Sequence, residues 1–263
     1  MRIKCPICGN ELVLDNHSYK CLNNHSYDIA KEGYTNLLKK QGGKDFGDSV
    51  DMVKARRSFF DKDYYKPLKE KLTEYIKEYH PQSILDLGCG EGYYTNYYKE
   101  NIDADIVALD ISKEAVRIAS KRNKEIKYLV ASIQDIPVFD NETDLVVNAF
   151  TPLDLDEIYR VLKNEGILIT ARVGERHLYE LKEALYDEVY LNDNKPLTDE
   201  RFILLKSDVV KSSIELDSNE DITNLFMMTP YYHHTSLSSK EKLKQLSRLT
   251  VSLEFNIDIY KKK

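Results

Sequence analysis

The chain has 263 residues, with 38 Lys/Arg against 44 Asp/Glu and a formal charge of −6. That length suits one or two domains, and the acidity excludes a uniformly basic nucleic-acid coat while leaving room for one basic patch. The 42% hydrophobic content excludes a disordered chain, and no apolar run is long enough for a bilayer span or a signal core. The expectation is a cytoplasmic protein with no membrane partner. Charge is unevenly spread. Residues 1–44 hold seven Lys/Arg and four Asp/Glu, a net +3, so the remaining chain carries −9.

Cys5, Cys8 and Cys21 crowd the first 21 residues, while Cys89 stands alone far downstream. Two disulfides would have to tie that distant residue into the cluster with no oxidising compartment implied, so metal ligation explains the cysteines better. Cys5-Pro-Ile-Cys8 makes a tight knuckle that presents two sulfurs to one ion, and Cys21 with His25 makes a second. Three sulfurs and one nitrogen form a closed tetrahedral set, which predicts one structural Zn2+ per chain with no open catalytic position. His17 competes for the fourth place, but it falls in the hairpin that residues 11–14 and 18–20 predict around Asp15-Asn16. So small a module has little core of its own, and metal binding supplies much of its folding energy.

The zinc-binding module spans 1–38. Residues 39–63 are assigned as a linker that opens on a glycine-rich, charged stretch, whose Lys39, Lys40 and Lys44 could alternatively meet a polyanion. Residues 64–263 form the second domain. A helix is predicted at 64–79, with Tyr65, Leu68, Leu72, Tyr75 or Ile76, and Tyr79 at helical spacing and Pro67 in its first turn. A strand at 83–87 runs into Asp86-Leu-Gly88-Cys-Gly90-Glu91-Gly92, followed by a helix at 93–100 and a strand at 106–109 that ends on Asp110.

This is a Rossmann-like opening, with Asp110 placed to hold a ribose diol. The details favour S-adenosyl-L-methionine over a dinucleotide. The glycines run Gly-x-Gly-x-Gly, and Asp86 and Glu91 would repel a pyrophosphate at this helix terminus. They suit a ligand bearing an ammonium and a sulfonium. A helix at 112–122 capped by Ser112 and a strand at 126–130 lead to Ala131-Ser132-Ile133-Gln134-Asp135, the loop where an adenine would rest. Strands at 144–148 and 167–171 alternate with helices at 155–162 and 174–187, and strands at 201–205, near 209–215 and at 251–259 complete an open sheet. The fold class is α/β: a Rossmann-like class I S-adenosylmethionine-dependent methyltransferase sheet with an N-terminal zinc-ribbon module.

The loop Asn148-Ala-Phe-Thr-Pro152 stands where a substrate would approach. It lacks the Asn/Asp-Pro-Pro-aromatic motif of amino-directed nucleic-acid methylases, which leaves a ring nitrogen, a carbon or a small molecule as acceptor. Cys89, inside the cofactor turn, reads as a packed thiol and not a nucleophile.

Taken together, Cys5-Pro-Ile-Cys8, Cys21 with His25, Asp28-Ile-Ala-Lys-Glu-Gly-Tyr-Thr-Asn-Leu-Leu38, Arg56-Arg-Ser-Phe-Phe60, Asp86–Thr95 and Ala149-Phe-Thr-Pro152 resemble the RlmA family of 23S ribosomal RNA guanine-N1 methyltransferases. The resemblance implies zinc ligation by Cys5, Cys8, Cys21 and His25, and cofactor contact by Gly90, Glu91, Tyr65 and His177. It also implies a zinc module that helps grip a 23S rRNA hairpin, and a homodimer. Methyl transfer to guanine N1 is the activity it suggests. Another RNA or a small molecule is the alternative acceptor, and a non-catalytic zinc-dependent RNA-binding protein is a third reading that the intact glycine turn disfavours. No catalytic base is assigned: Asp135, Asp154 and Asp156 are equally caps or solvated charges, and Tyr231 and Tyr232 are either base-stacking or core residues.

Overall fold

A computed structural model of the chain describes residues 1–39 and 49–263; Lys40 and Lys44, named above as possible polyanion contacts, lie outside the described residues. β1 (Ile3–Lys4), β2 (Glu11–Asp15), β3 (Ser18–Lys20) and β4 (Ser26–Asp28) form an antiparallel ribbon in chain order. β5 (Tyr34–Asn36), α1 (Val50–Asp61) and α2 (Lys66–Glu78) lead to the main body. There follow β6 (Ser83–Leu87), α3 (Tyr93–Asn101), β7 (Asp105–Asp110), α4 (Lys113–Arg122), β8 (Lys127–Val130) and β9 (Thr143–Ala149). Next come α5 (Leu155–Val161), β10 (Leu162–Val173), α6 (Tyr179–Leu185) and β11 (Phe202–Leu216). The helices α7 (Asn219–Met227), α8 (Tyr231–His234) and α9 (Leu237–Lys244) precede the last strand, β12 (Leu249–Lys262).

The main sheet has the order β11-β12-β10-β9-β6-β7-β8-β5. β5 to β10 run parallel within it and β12 is antiparallel to both its neighbours. Strand order reverses between β6 and β9, which opens the ligand crevice at the carboxyl ends of the strands. Strands such as Ser83-Ile-Leu-Asp-Leu87 are buried along their whole length, as a sheet covered on both faces requires. One face, with Ile84, Ile106, Val147 and Ile257, packs against α1 to α4, α6 and α7. The other, with Leu85, Val107, Val146 and Leu168, packs against α5, Ile136 and Val138, and also against Ile3, Cys5, Leu12 and Cys21 of the ribbon. No helix connects β8 to β9. The ribbon covers sheet surface that a crossover helix would otherwise cover, anchored by Lys4 N–H donating to the Pro137 carbonyl at 2.8 Å.

Several expectations need correction. The assigned linker contains α1, which is capped by Ser49, whose hydroxyl accepts from the Met52 amide, and which buries Met52, Val53, Ala55, Phe59 and Phe60 on one face. Helix α1 belongs to the body because that apolar stripe has to be covered. The boundary at residue 38 also fails as a structural division, since β5 from the first module pairs with β8 of the main sheet. The helix expected from residue 174 starts at Tyr179, because Leu178 takes φ 55 and ends the preceding turn. The strands expected at 201–205 and 209–215 are one strand, β11, joined through an irregularity between Leu204 and Lys206. Residues 219–244, left unassigned, supply α7, α8 and α9.

Candidate functional site

The metal cluster closes through two knuckles. Gly9 at φ 73 lets its amide reach back to the Cys5 carbonyl at 2.9 Å, and Asn24 at φ 58 does the same to Cys21 at 2.9 Å. These turns bring Cys5, Cys8, Cys21 and His25 together, with ligand atoms within 4.8 Å of one another. His25 Nδ1 lies 3.5 Å from Cys5 Sγ and 3.4 Å from Cys21 Sγ, and Cys8 Sγ lies 3.6 Å from Cys21 Sγ. A zinc tetrahedron has sulfur–sulfur edges of about 3.8 Å and sulfur–nitrogen edges of about 3.5 Å. The set therefore fits one structural zinc ion. His17 is exposed and outside the cluster. Burial opposes ionisation of Cys5, but hydrogen bonds from Tyr27 Oη and the knuckle amides outweigh it and bring the thiol down to about 6. That favours the thiolate a metal needs.

The expected cofactor residues line the carboxyl edge of β6, β7 and β8. Asp86 lies beneath the glycine turn, 3% exposed, with Thr95 Oγ1 donating to it at 2.5 Å. Burial, reinforced by the Asp110 charge and opposed by Thr95, pushes its carboxyl up to about 7. Gly88 has φ 72, and a Cβ there would stand 1.9 Å from Thr151 Oγ1, so the turn is packed tightly against the loop after β9. Gly90 differs: among the described residues a Cβ there would meet nothing nearer than Arg56 Nη1 at 4.0 Å. No described residue crowds its backbone, which suits a ligand cradle, and its amide donates to Asp110 Oδ2 at 2.9 Å. The Asp110 carbonyl accepts from Ala131 N–H at 3.1 Å, which ties the Ser132 loop to the same edge. A crevice edged by Asp86 and Asp110 beside an uncrowded glycine backbone fits S-adenosylmethionine.

Glu91 is also tied to a neighbouring helix. It is 1% exposed and its carboxylate meets the Arg122 guanidinium, Nε at 2.9 Å and Nη2 at 2.5 Å. Arg122 reaches on to Asp61 of α1 at 3.1 Å, so Glu91 clamps α1 and α4 onto the turn. Burial, only partly offset by Arg122, holds its carboxyl above the usual range.

Tyr65 and His177, 112 residues apart, meet at 3.2 Å between Oη and Nε2. The Glu254 amide can only donate, and it points at His177 Nδ1 at 3.3 Å. Nε2 therefore carries the proton and donates to Tyr65 Oη, so the phenolic hydrogen is available for a further acceptor. Burial, with the Lys182 ammonium second, pushes His177 down to about 3, so the imidazole is neutral. Rings link this pair to the sheet edge, with Phe255 centred 4.8 Å from Tyr65 and 4.7 Å from His177.

Cys89 is buried, which raises its thiol well above the ordinary value and disarms it. The three carboxylates weighed as bases are engaged elsewhere: Asp154 caps α5, Asp156 pairs with Arg201, and Asp135 pairs with Lys39. Tyr231 and Tyr232 pack within the α7–α9 region, Tyr231 donating to Asn192 at 3.3 Å and Tyr232 against Phe226. Phe150 lies in the loop expected to meet a substrate, though with no role of its own assigned there, and Phe255 carries no local signal. Phe150 takes φ 61 and is 42% exposed, neither of which a single sequence displays.

The family described as "RlmA, N-terminal", a zinc ribbon, matches residues 3–42, and a methyltransferase domain family matches residues 85–170. The 23S rRNA (guanine(748)-N(1))-methyltransferase of Streptomyces fradiae is 33% identical over 189 residues, covering 70% of this chain and 67% of its own length. The chain belongs to the RlmA methyltransferase family. A Bacillus subtilis protein provisionally assigned as a 23S rRNA (guanine-N(1)-)-methyltransferase is 32% identical over 198 residues, covering 70% of this chain and 69% of that protein. A solved structure provisionally assigned as a sarcosine dimethylglycine methyltransferase from Galdieria sulphuraria aligns with a TM-score of 0.50 at 15% identity, covering 80% of this chain and 98% of that one. That likeness concerns the fold alone. This RlmA-family chain is thus an S-adenosylmethionine-dependent methyltransferase carrying a zinc ribbon, and among its described residues no helix is long and apolar enough to cross a membrane.

Proposed function

We propose that this enzyme transfers a methyl group from S-adenosylmethionine to N1 of a guanine in a hairpin of 23S rRNA. The observation that carries the reading is the joining of a four-ligand zinc ribbon to a methyltransferase sheet through one shared apolar cluster, in a chain 33% identical to an enzyme of that activity. The ribbon and its basic residues serve as the RNA grip, and the sheet edge holds the cofactor. Asp86, Gly88, Gly90, Asp110 and Ser132 form the cofactor cradle, with Tyr65 offering its O–H at the methionine end. Glu91 acts on the cradle through Arg122.

When bound, the cofactor supplies an electrophilic methyl carbon; the chain's residues orient it and exclude water. Guanine N1 is protonated when neutral and lies on the pairing edge, so the base has to leave its pair and lose that proton. Alignment of the two reactants in a dry crevice then contributes much of the rate. A homodimer belongs to the same reading through the family resemblance, and a cytoplasmic location through the ribosomal substrate of the Streptomyces fradiae relative.

Incubation with labelled cofactor and unmodified 23S rRNA, followed by primer extension, tests it. A methyl on N1 blocks pairing and should stop copying at one guanine. Label incorporated without such a stop would defeat the guanine-N1 assignment.

A further inference from the structure

We infer that Phe150 is the platform on which the target guanine stacks once it has left its helix; this rests on the proposed methylation of a guanine base. Phe150 follows β9 directly, at the carboxyl edge beside the glycine turn, in the loop where Thr151 packs against Gly88. Its backbone is in the left-handed region at φ 61, where a bulky residue is held at a cost that glycine or asparagine would avoid. Three contacts hold it there. Its N–H donates to the Ala171 carbonyl at 3.0 Å, Asn148 Nδ2 donates to the Pro152 carbonyl at 3.2 Å, and Thr151 Oγ1 donates to the Ala149 carbonyl at 3.4 Å. The loop backbone is thus held before any substrate arrives, and strain kept at a sheet edge points to use of the residue that bears it.

The ring's neighbours say which ligand it serves. Phe150 stands 5.7 Å from Phe255 and 6.4 Å from Tyr94, and Phe255 in turn touches Tyr65 and His177. Tyr65, Tyr94, His177 and Phe255 are each at most 8% exposed, whereas Phe150 is 42% exposed. It is the member of this aromatic wall with a face open to a partner. The adenine place by Ser132 follows β8, three strand spacings from β9, a separation of about 14 Å. Phe150 is therefore set beside the methyl-donor end of the crevice and away from the adenine. A flat, uncharged π surface there suits an extruded purine, and stacking of this kind tolerates any base while fixing its plane.

The test compares Phe150→Leu, Phe150→Gly and Phe150→Tyr with the wild-type enzyme on an unmodified 23S rRNA transcript, alongside calorimetric titration with S-adenosylmethionine. Loss of the ring in the Leu and Gly variants should lower kcat/KM for RNA by roughly 5- to 150-fold. Cofactor affinity should stay within about twofold, since no cofactor contact is removed. Phe150→Tyr should retain activity within roughly threefold, because the stacking face survives. Leucine fills similar space, so a purely packing role would be met by Phe150→Leu. Wild-type kcat/KM in that variant would overturn the inference, as would loss of cofactor binding in step with activity. Wild-type enzyme that leaves guanine N1 of the transcript unmodified would overturn the proposed function along with it.

Discussion

The ribbon and the sheet are stabilised in opposite ways. The central sheet strands, β6 to β9, are buried on both faces and bring their own core. The ribbon turns Ile3, Cys5, Leu12 and Cys21 inward but leaves Ile7, Val13, Leu14 and Leu22 exposed, Leu22 at 90%. It depends on four ligands and on the sheet face it covers. The contrast teaches that one chain can combine a part whose fold is specified by a handful of donor atoms with a part specified by a continuous apolar pattern.

The sharpest way to break that comparison is to remove the metal. Chelation, or Cys21→Ala, should cost several kcal/mol, since structural zinc supplies about 10–16 kcal/mol in isolated finger peptides. Hydrogen exchange should show residues 11–28 losing protection while 83–87 and 251–259 keep most of theirs. Equal loss in both would mean that the two parts fold as one.

On the sheet side the next effect is electrostatic. Asp86 is pushed up to about 7 by burial, against an unfolded value near 3.9. Its stabilising contribution is full below the unfolded value and is lost as pH rises through the folded one. Asp86→Asn removes that titration, so its melting temperature should exceed wild type by a margin that grows from pH 4 to 7 and then levels, reaching a few kcal/mol of stability. The same variant should bind S-adenosylmethionine more weakly. A margin independent of pH would exclude Asp86 as the source.

Smaller still, Tyr65→Phe leaves His177 Nε2 without its buried partner. It should cost about 1–3 kcal/mol in urea unfolding, whereas a change of a few tenths would show that the pair is incidental. At the bottom of the scale, Lys20 pairs with Asp15 on the ribbon surface at 2.6 Å, both about half exposed. Lys20→Ala should change stability by no more than ~0.5 kcal/mol, and a larger loss would mean that surface charge matters to the ribbon more than its ligands suggest.

Legibility in the sequence follows the same division. The ribbon's ligands could be read because zinc imposes spacing, and the cofactor turn because glycines, acidic residues and a strand fall within seven positions, Asp86 to Gly92. β6 through β9 lie close to their expected places for the same reason: short buried runs alternate with helical periodicity. Contacts across long separations were not readable. The ion pair of Glu91 with Arg122, 31 residues away, is one of them. Helix α1 hides behind a glycine-rich approach, and the pairing of β5 with β8 depends on a sheet edge that no local pattern announces. Phe150 shows the limit most clearly, since its use depends on a φ angle and an exposure.

The most direct test of the division of labour between ribbon and sheet pairs two quantities on one sample. S-adenosylmethionine affinity and methyl transfer to 23S rRNA are measured before and after zinc is removed. The expected result is cofactor affinity kept within about threefold while transfer falls at least roughly tenfold, because the cradle needs the sheet and RNA needs the ribbon. Transfer that persists without zinc, or cofactor affinity that collapses together with transfer, would contradict it.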